Sequence, residues 1–373
     1  MIYLDNCATT RVFDESAELM REYMLNNYVN SSAPYATALK NEQVYNECRT
    51  KIANTINAST KEIYFTSGGT ESDNTAIFGA LSRERNKILI SATEHPAVYE
   101  AAMRAQKQGA DIGIIPVDEQ GVVVKSALQE MLDERCAVVS IMHVNNETGT
   151  INPIEELARI THKVAPECLF HSDGVQAHMR VKCDVKNSEI DMYSMSGHKI
   201  HAPKGIGALY VSKKARINPL MFGGGQQDAF RPGTVNLPSI VAYTSSAMVF
   251  NDEIISKIRQ IKAIFQDELK NCSFNSSQCT TAPHILSVAY AGVQASTLQN
   301  ALEEQGVIVG KGSACSSRNA RISRVLESMK VPRKEAEGTV RIGIGAFNTV
   351  DEAYNACQII NNVSNRLMRF TRK

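Results

Sequence analysis

Six short runs of the chain are almost continuously apolar: EIYF (62–65), KILISA (87–92), AVVSIMHV (137–144), CLFHSD (168–173), IDMYSM (190–195) and GALYVS (207–212). Each is rich in β-branched or aromatic residues and too short for a typical helix, so each predicts a strand. The apolar positions do not alternate with polar ones, which predicts strands covered on both faces. Segments 70–82, 96–108, 126–134 and 154–165 instead repeat their apolar residues at helical spacing. Strands and helices in alternation predict an α/β sheet of mostly parallel strands.

The texture changes after about residue 235. Segment 237–272 has the pattern of one long helix or two consecutive ones. Beyond it come a strand-like run at 284–292, a helix near 296–306 and a final helix over 350–368. This predicts a smaller α+β domain after the large one. With 373 residues, 43% of them hydrophobic, the chain is long enough for two cores.

Charge narrows the function classes. The 40 basic and 39 acidic residues leave a net charge of +1, so bulk charge draws the chain neither to nucleic acid nor to an anionic membrane. No apolar run reaches the length of a membrane span. The start, MIYLDNCATT, lacks the basic and apolar regions of a signal peptide. The nine cysteines are odd in number, scattered and without a CxxC, which argues against a disulfide framework or a metal site and for reduced thiols in the cytoplasm. One stands apart. Cys315, in KGSACSSRN, has Gly310, Gly312, Ser313, Ala314, Ser316 and Ser317 around it, and Lys311 and Arg318 flank it. Buried structural cysteines usually sit among bulkier apolar neighbours.

The remaining candidate chemistry gathers at predicted strand ends, where open α/β sheets bind ligands. TSGGTES after the first strand offers a glycine-freed backbone leading to a helix N-terminus at Thr70, a cradle for phosphate. His95, Asn145 with Asn146, and Asp173 with Gln176 follow the next strands; singly, each is also read as a cap or turn residue. Lys199 follows Ser196, Gly197 and His198 after the fifth run. It is a candidate for a depressed pKa and a Schiff base. A lysine, a phosphate cradle and a strand-end carboxylate together form the set that pyridoxal phosphate needs.

These motifs, in order, resemble those of the cysteine desulfurases of the NifS/IscS type, class V aminotransferase-like enzymes of pyridoxal-phosphate fold type I. The resemblance runs from IYLDNCATT through NSSAPYATA, TSGGTESDNTAI, TEHPAV, VNNETG, SDGVQ, SGHKIHAPKGIGALYV, GGGQQDAFRPGTVN and GSACSS to VRIGIG. It implies a large domain (14–245) with a mostly parallel seven-stranded sheet between helices. A small α+β domain, built from 1–13 and 246–373, would carry the cysteine loop.

The resemblance also implies roles. Lys199 would hold pyridoxal 5'-phosphate and take the substrate's α-proton. Asp173 would pair with the ring nitrogen, Gln176 would bond the phenolic oxygen, and His95 would stack on the ring and move protons. Gly69, Thr70, Ser196 and His198 would bind the phosphate, joined by Thr234 from the neighbouring subunit of a homodimer. Asn146 and Arg341 would orient L-cysteine, and Cys315 would receive its sulfur as a persulfide for an acceptor protein. That acceptor would be an iron–sulfur scaffold or a tRNA- or cofactor-thiolation enzyme. The alternatives on this fold are a selenocysteine lyase and a class V aminotransferase. The chain departs from the family pattern at Cys7, Tyr35, Ala38, Gln227, Asp228, Ala229 and Ala346; Cys7 brings a second thiol towards the expected pocket, and Asp228 reverses a charge near the expected subunit interface.

Overall fold

The structure, a computed structural model, describes residues 1–311 and 322–371. The larger sheet has seven strands in the order β2 (Ile63–Thr66), β8 (Gly207–Val211), β7 (Met192–Ser196), β6 (Leu169–Asp173), β5 (Cys136–Ser140), β3 (Lys87–Ser91) and β4 (Asp111–Ile115). All neighbours pair in parallel except β8, which is antiparallel to both β2 and β7. The six predicted strands are present. The seventh, β4, escaped the pattern because it is an edge strand with little burial: only Ile115 of its residues is buried.

The apolar runs are continuous because the sheet is covered on both sides. Ile88 and Ile90 of β3 pack in one cluster with Ala76, Ile77, Val98 and Ala102 of α3 (Gly69–Gly79) and α4 (Pro96–Gln106). Leu89, between them, points into the other cluster, with Val139 and Phe170. Successive strand residues face opposite sides, so both sets must be apolar. The opposite cluster also receives Leu128 of α5 (Lys125–Met131) and Leu157 of α6 (Ile154–Val164).

Sequence periodicity did not reveal α1 (Asp14–Leu25) and α2 (Ala36–Asn54). Only Ser16 of α1 is buried, so the helix carries no apolar stripe to read. The 237–272 segment is two helices, α7 (Leu237–Val249) and α8 (Asp252–Glu268). The break is set by Asn251, whose side chain accepts from the N–H of Ile254 at 3.0 Å and starts the second helix.

The smaller sheet has the order β1 (Ile2–Leu4), β11 (Val307–Lys311), β12 (Thr339–Gly343), β10 (Ile285–Ala289) and β9 (Ser273–Phe274). The first residues of the chain thus pair, in parallel, with a strand some three hundred positions later. Around this sheet lie α9 (Ala295–Glu303), the short α10 (Arg324–Ser328) and α11 (Arg333–Ala336), and α12 (Val350–Thr371). No helix among the described residues is long and apolar enough to cross a membrane.

One glycine shows how tightly the sheet end is built. Gly174 follows β6, donates to the carbonyl of Ser194 at 3.0 Å, and lies directly over the fully buried Tyr193 ring. A Cβ here would overlap the ring and hydroxyl of Tyr193, which is held by His143 at 3.0 Å. Gly174→Ala is expected to destabilise the protein by about 3 kcal/mol, the upper range for overpacking, read as a lowered urea midpoint. An unchanged midpoint would refute this account of the packing.

Candidate active site

The carboxyl ends of the parallel strands converge on a cleft of about 310 Å3. Gly69 and Thr70 come from the start of α3 after β2, His95 from the turn after β3, and Asn146 from the segment after β5. Asp173 ends β6, with Gln176 just beyond it. Ser196 ends β7, and His198 and Lys199 lie in the 3-10 turn that follows. Arg341, from β12 of the small sheet, closes the set. Residues separated by 272 positions therefore line one cavity. Cys315 lies outside the described residues. Thr234 is exposed and is not part of this cleft's lining; Arg231, in the same RPGT segment, pairs with Glu71 of α3 at 2.9 Å.

Lys199 Nζ donates to the carbonyls of Cys7 and Ala8 at 2.8 and 2.7 Å. Burial, aided by the nearby charge of Arg341, pulls its pKa down to about 8. The lysine reaches neutrality far more readily than a surface amine. The same Cys7 carbonyl accepts from Gln176 Nε2 at 3.0 Å, and Gln176 Oε1 is 3.1 Å from His284 Nε2.

Asp173 is buried and has one backbone partner, the N–H of Val175 at 2.9 Å to Oδ1. Burial pushes its pKa up, while His95 and Lys199 pull it back. His95 is held below its ordinary value by burial. Its Nδ1 accepts from the N–H of Ala97 at 3.1 Å, which assigns the proton of the neutral ring to Nε2. Asp73, His95 and Asp173 offer ligand atoms within 4.8 Å of one another. Burial and the Asp173 charge raise the pKa of the Asp73 carboxyl well above its ordinary value.

Arg341 Nη2 bonds Asp5 Oδ1 at 2.8 Å and Nη1 the carbonyl of Asn146 at 2.7 Å, while Nε is buried without a partner. The Asp5 carboxylate and the Asn146 carbonyl thus orient the guanidinium at the cleft wall. Below them, Glu147 accepts from Ser323 Oγ at 2.5 Å. Arg324 donates to the carbonyls of Ala92 and Glu94 and lies 4.1 Å from the Tyr99 ring, tying α10 to the turn that carries His95.

Two carboxylates were not anticipated: Asp73 in the cleft lining and Asp5, which bonds Arg341. Asp73 lies one helical turn from Gly69 on α3, so its i, i+4 spacing was a usable signal. Asp5, the partner of Arg341, carried none, because only the pairing of β1 with β11 brings it there. The departure at Cys7 does place a second thiol in the cleft lining. The thiol is buried and donates towards the carbonyl of His284 at 3.9 Å. Burial raises its pKa despite Arg341, Arg180 and Lys199 nearby. Asp228 forms a 3.5 Å ion pair with Arg49 of its own chain.

Known proteins resemble the chain over nearly its whole length. A cysteine desulfurase of Sinorhizobium fredii is 37% identical over 378 residues, covering 98% of this chain and 97% of its own. The solved structure of a NifS-like protein superposes with a TM-score of 0.91 at 32% identity, covering 98% of this chain and all of its own. The structure of SspA in complex with cysteine superposes with a TM-score of 0.85 at 29% identity, covering 94% of this chain and 100% of its own. The aminotransferase class-V family model matches residues 2–355, and the chain belongs to that family.

Proposed function

We infer that the protein is a pyridoxal 5'-phosphate-dependent cysteine desulfurase, converting L-cysteine to L-alanine and passing the sulfur through Cys315 to an acceptor protein. The observation that carries this reading is the convergence, in one cleft, of a lysine with a pKa near 8, a buried strand-end carboxylate, a neutral histidine, a helix N-terminus and an arginine. The cysteine desulfurase relative, similar from end to end, supports it.

The residues present fit the cofactor. At the start of α3 the backbone passes so close to Val175 that a Cβ on Gly69 would come within 2.6 Å of it, leaving a side-chain-free surface of N–H groups at the cleft. Asp173 has a carboxylate to offer a protonated ring nitrogen. Lys199 would hold the cofactor, Gln176 its phenolic oxygen, and Gly69, Thr70, Ser196 and His198 its phosphate. When bound, the cofactor supplies an electron sink for chemistry at the substrate's Cα and Cβ.

The chain's own groups do the rest. Arg341, with Asn146, holds the substrate carboxylate, a task suited to a planar guanidinium. Lys199 Nζ takes the proton from Cα, and the neutral His95 moves protons at the reacting atoms. The Cys315 thiolate attacks the substrate's Sγ. The S–S bond forms as Cβ–Sγ breaks, and the electron pair stays with the carbon fragment, which gains protons and leaves as alanine. Iron–sulfur assembly and the thiolation of tRNA or a cofactor are the destinations this persulfide chemistry serves.

We assign residues 14–245 to the large cofactor domain and 1–13 with 246–373 to the small one. The assembly is a homodimer in which Thr234 reaches the partner's phosphate site. Leu25, Tyr28, Tyr35, Leu39 and Phe222 are exposed apolar side chains of the kind such an interface would cover. Sedimentation equilibrium giving a single chain's 40.9 kDa would overturn the dimer. The eight described cysteines are all unpaired, in keeping with a reducing cytoplasm.

The activity test is direct. L-cysteine is expected to yield alanine and, with a thiol reductant, sulfide in equal amounts. Preference for selenocysteine, with cysteine inert, would favour a selenocysteine lyase, and amino-group transfer to a keto acid would favour an aminotransferase. Either outcome rejects the desulfurase reading.

A further inference from the structure

A second cavity, of about 470 Å3, shares no lining residue with the cleft. It lies between α8, segment 180–182 and segment 280–283. Its lining contains four cations, Arg180, Lys182, Arg259 and Lys262, and no carboxylate. Among the described residues none of the four forms an ion pair. Lys182 and Arg259 are exposed, whereas Arg180 and Lys262 are 4% and 7% exposed.

The two buried cations are under-satisfied. Lys262 Nζ donates to Thr281 Oγ1 at 2.7 Å and to the carbonyl of Ala282 at 2.8 Å, using two of its three protons. Arg180 spends Nη2 on the carbonyl of Lys199, while its Nε and Nη1 are buried without an acceptor. The Phe250 ring, 5.5 Å away, is a weak substitute for an anion. A buried guanidinium without a counter-charge is costly, and such groups are normally paired. Burial pulls Arg180 down to about 10 and Lys262 down to about 8, the direction expected of cations lacking an anion.

We propose that this cavity is a binding site for a small phosphate-bearing anion, held by Lys262 and Arg180 and drawn in by Lys182 and Arg259. Phosphate groups suit it because each brings nearly two negative charges and several acceptor oxygens, matching four cations in a space larger than one phosphate needs. The site is also wired to the cleft. Arg180 holds the main-chain carbonyl of Lys199, so an anion that fixes Arg180 braces the backbone of the cofactor lysine. Any effect of the anion on cofactor affinity is then matched by an equal effect of the cofactor on the anion.

The test is calorimetric titration of inorganic pyrophosphate into dialysed, cofactor-loaded protein, so that the phosphate cradle of the cleft is already filled. Sodium chloride at matched ionic strength is the control. Saturable one-to-one binding is expected, with an affinity of about 1 mM or tighter. The Lys182→Ser/Arg259→Ser double variant, altered only at exposed positions, should bind roughly tenfold more weakly with unchanged cofactor absorbance and alanine production. Lys262→Met should weaken binding further. Should that variant fail to fold, the exposed pair carries the test alone. No saturable heat with the wild type, equal affinity in the double variant, or the same heat from chloride would each overturn the site. None of these outcomes depends on which amino acid the cleft consumes.

Discussion

Cys315→Ala and Cys315→Ser are expected to lose about 10³-fold or more of cysteine-to-alanine turnover, the scale of removing a catalytic nucleophile. Cofactor binding should persist, because every described cofactor group lies elsewhere: Lys199, Asp173, Gln176 and the start of α3. The absorbance of the bound cofactor should still respond to added cysteine, since Arg341 and Lys199 remain. The rival thiol is Cys7, which lines the cleft. Its burial and raised pKa make it a poor nucleophile, because the thiolate is the reacting species. Alkylation of the sulfurated enzyme followed by peptide mapping decides between them. Persulfide on Cys7, with normal turnover in Cys315→Ala, would overturn the assignment.

Lys199→Ala is expected to abolish turnover and the covalent hold on the cofactor together. Borohydride reduction of the wild type should fix the cofactor on the peptide bearing Lys199; a label on Lys204 would refute the site. The depressed pKa gives this experiment a pH signature. An unperturbed lysine near 10.5 is only about 0.3% neutral at pH 8, whereas Lys199, near 8, is about half neutral there. The neutral amine is the form that condenses with an aldehyde. The rate at which cofactor-free protein takes up pyridoxal phosphate should therefore rise with pH through a midpoint near 8 and level off above it. A midpoint above 10 would mean that burial and Arg341 do not act on the amine as the geometry indicates.

Both experiments probe residues that were legible in the chain itself, although for different reasons. Lys199 and Asp173 are marked by position: Asp173 ends one strand, and Lys199 follows another after Gly197 and His198, at the sheet end where ligands bind. Cys315 is marked by the smallness of its neighbours. Gln176, His95 and Asn146 alone read equally well as turn or capping residues, and His95 does cap α4. Their order along the chain, matched to a family, gave them roles.

The alternation of strand and helix runs was enough to determine an α/β sheet, because a strand buried on both faces must be apolar at nearly every position and a helix only along one stripe. That same physics hid α1 and β4, which bury little and so leave no pattern. Composition determined that partners are not recruited by bulk charge. Tertiary structure alone decided which distant residues meet. Pairing of β1 with β11 and of β11 with β12 brings Asp5 to Arg341 across 336 positions, and packing of α8 against the segments at 180 and 281 gathers four cations around one cavity. Local spacing carries no trace of such contacts, because they arise from burial that satisfies the whole core at once rather than any one segment.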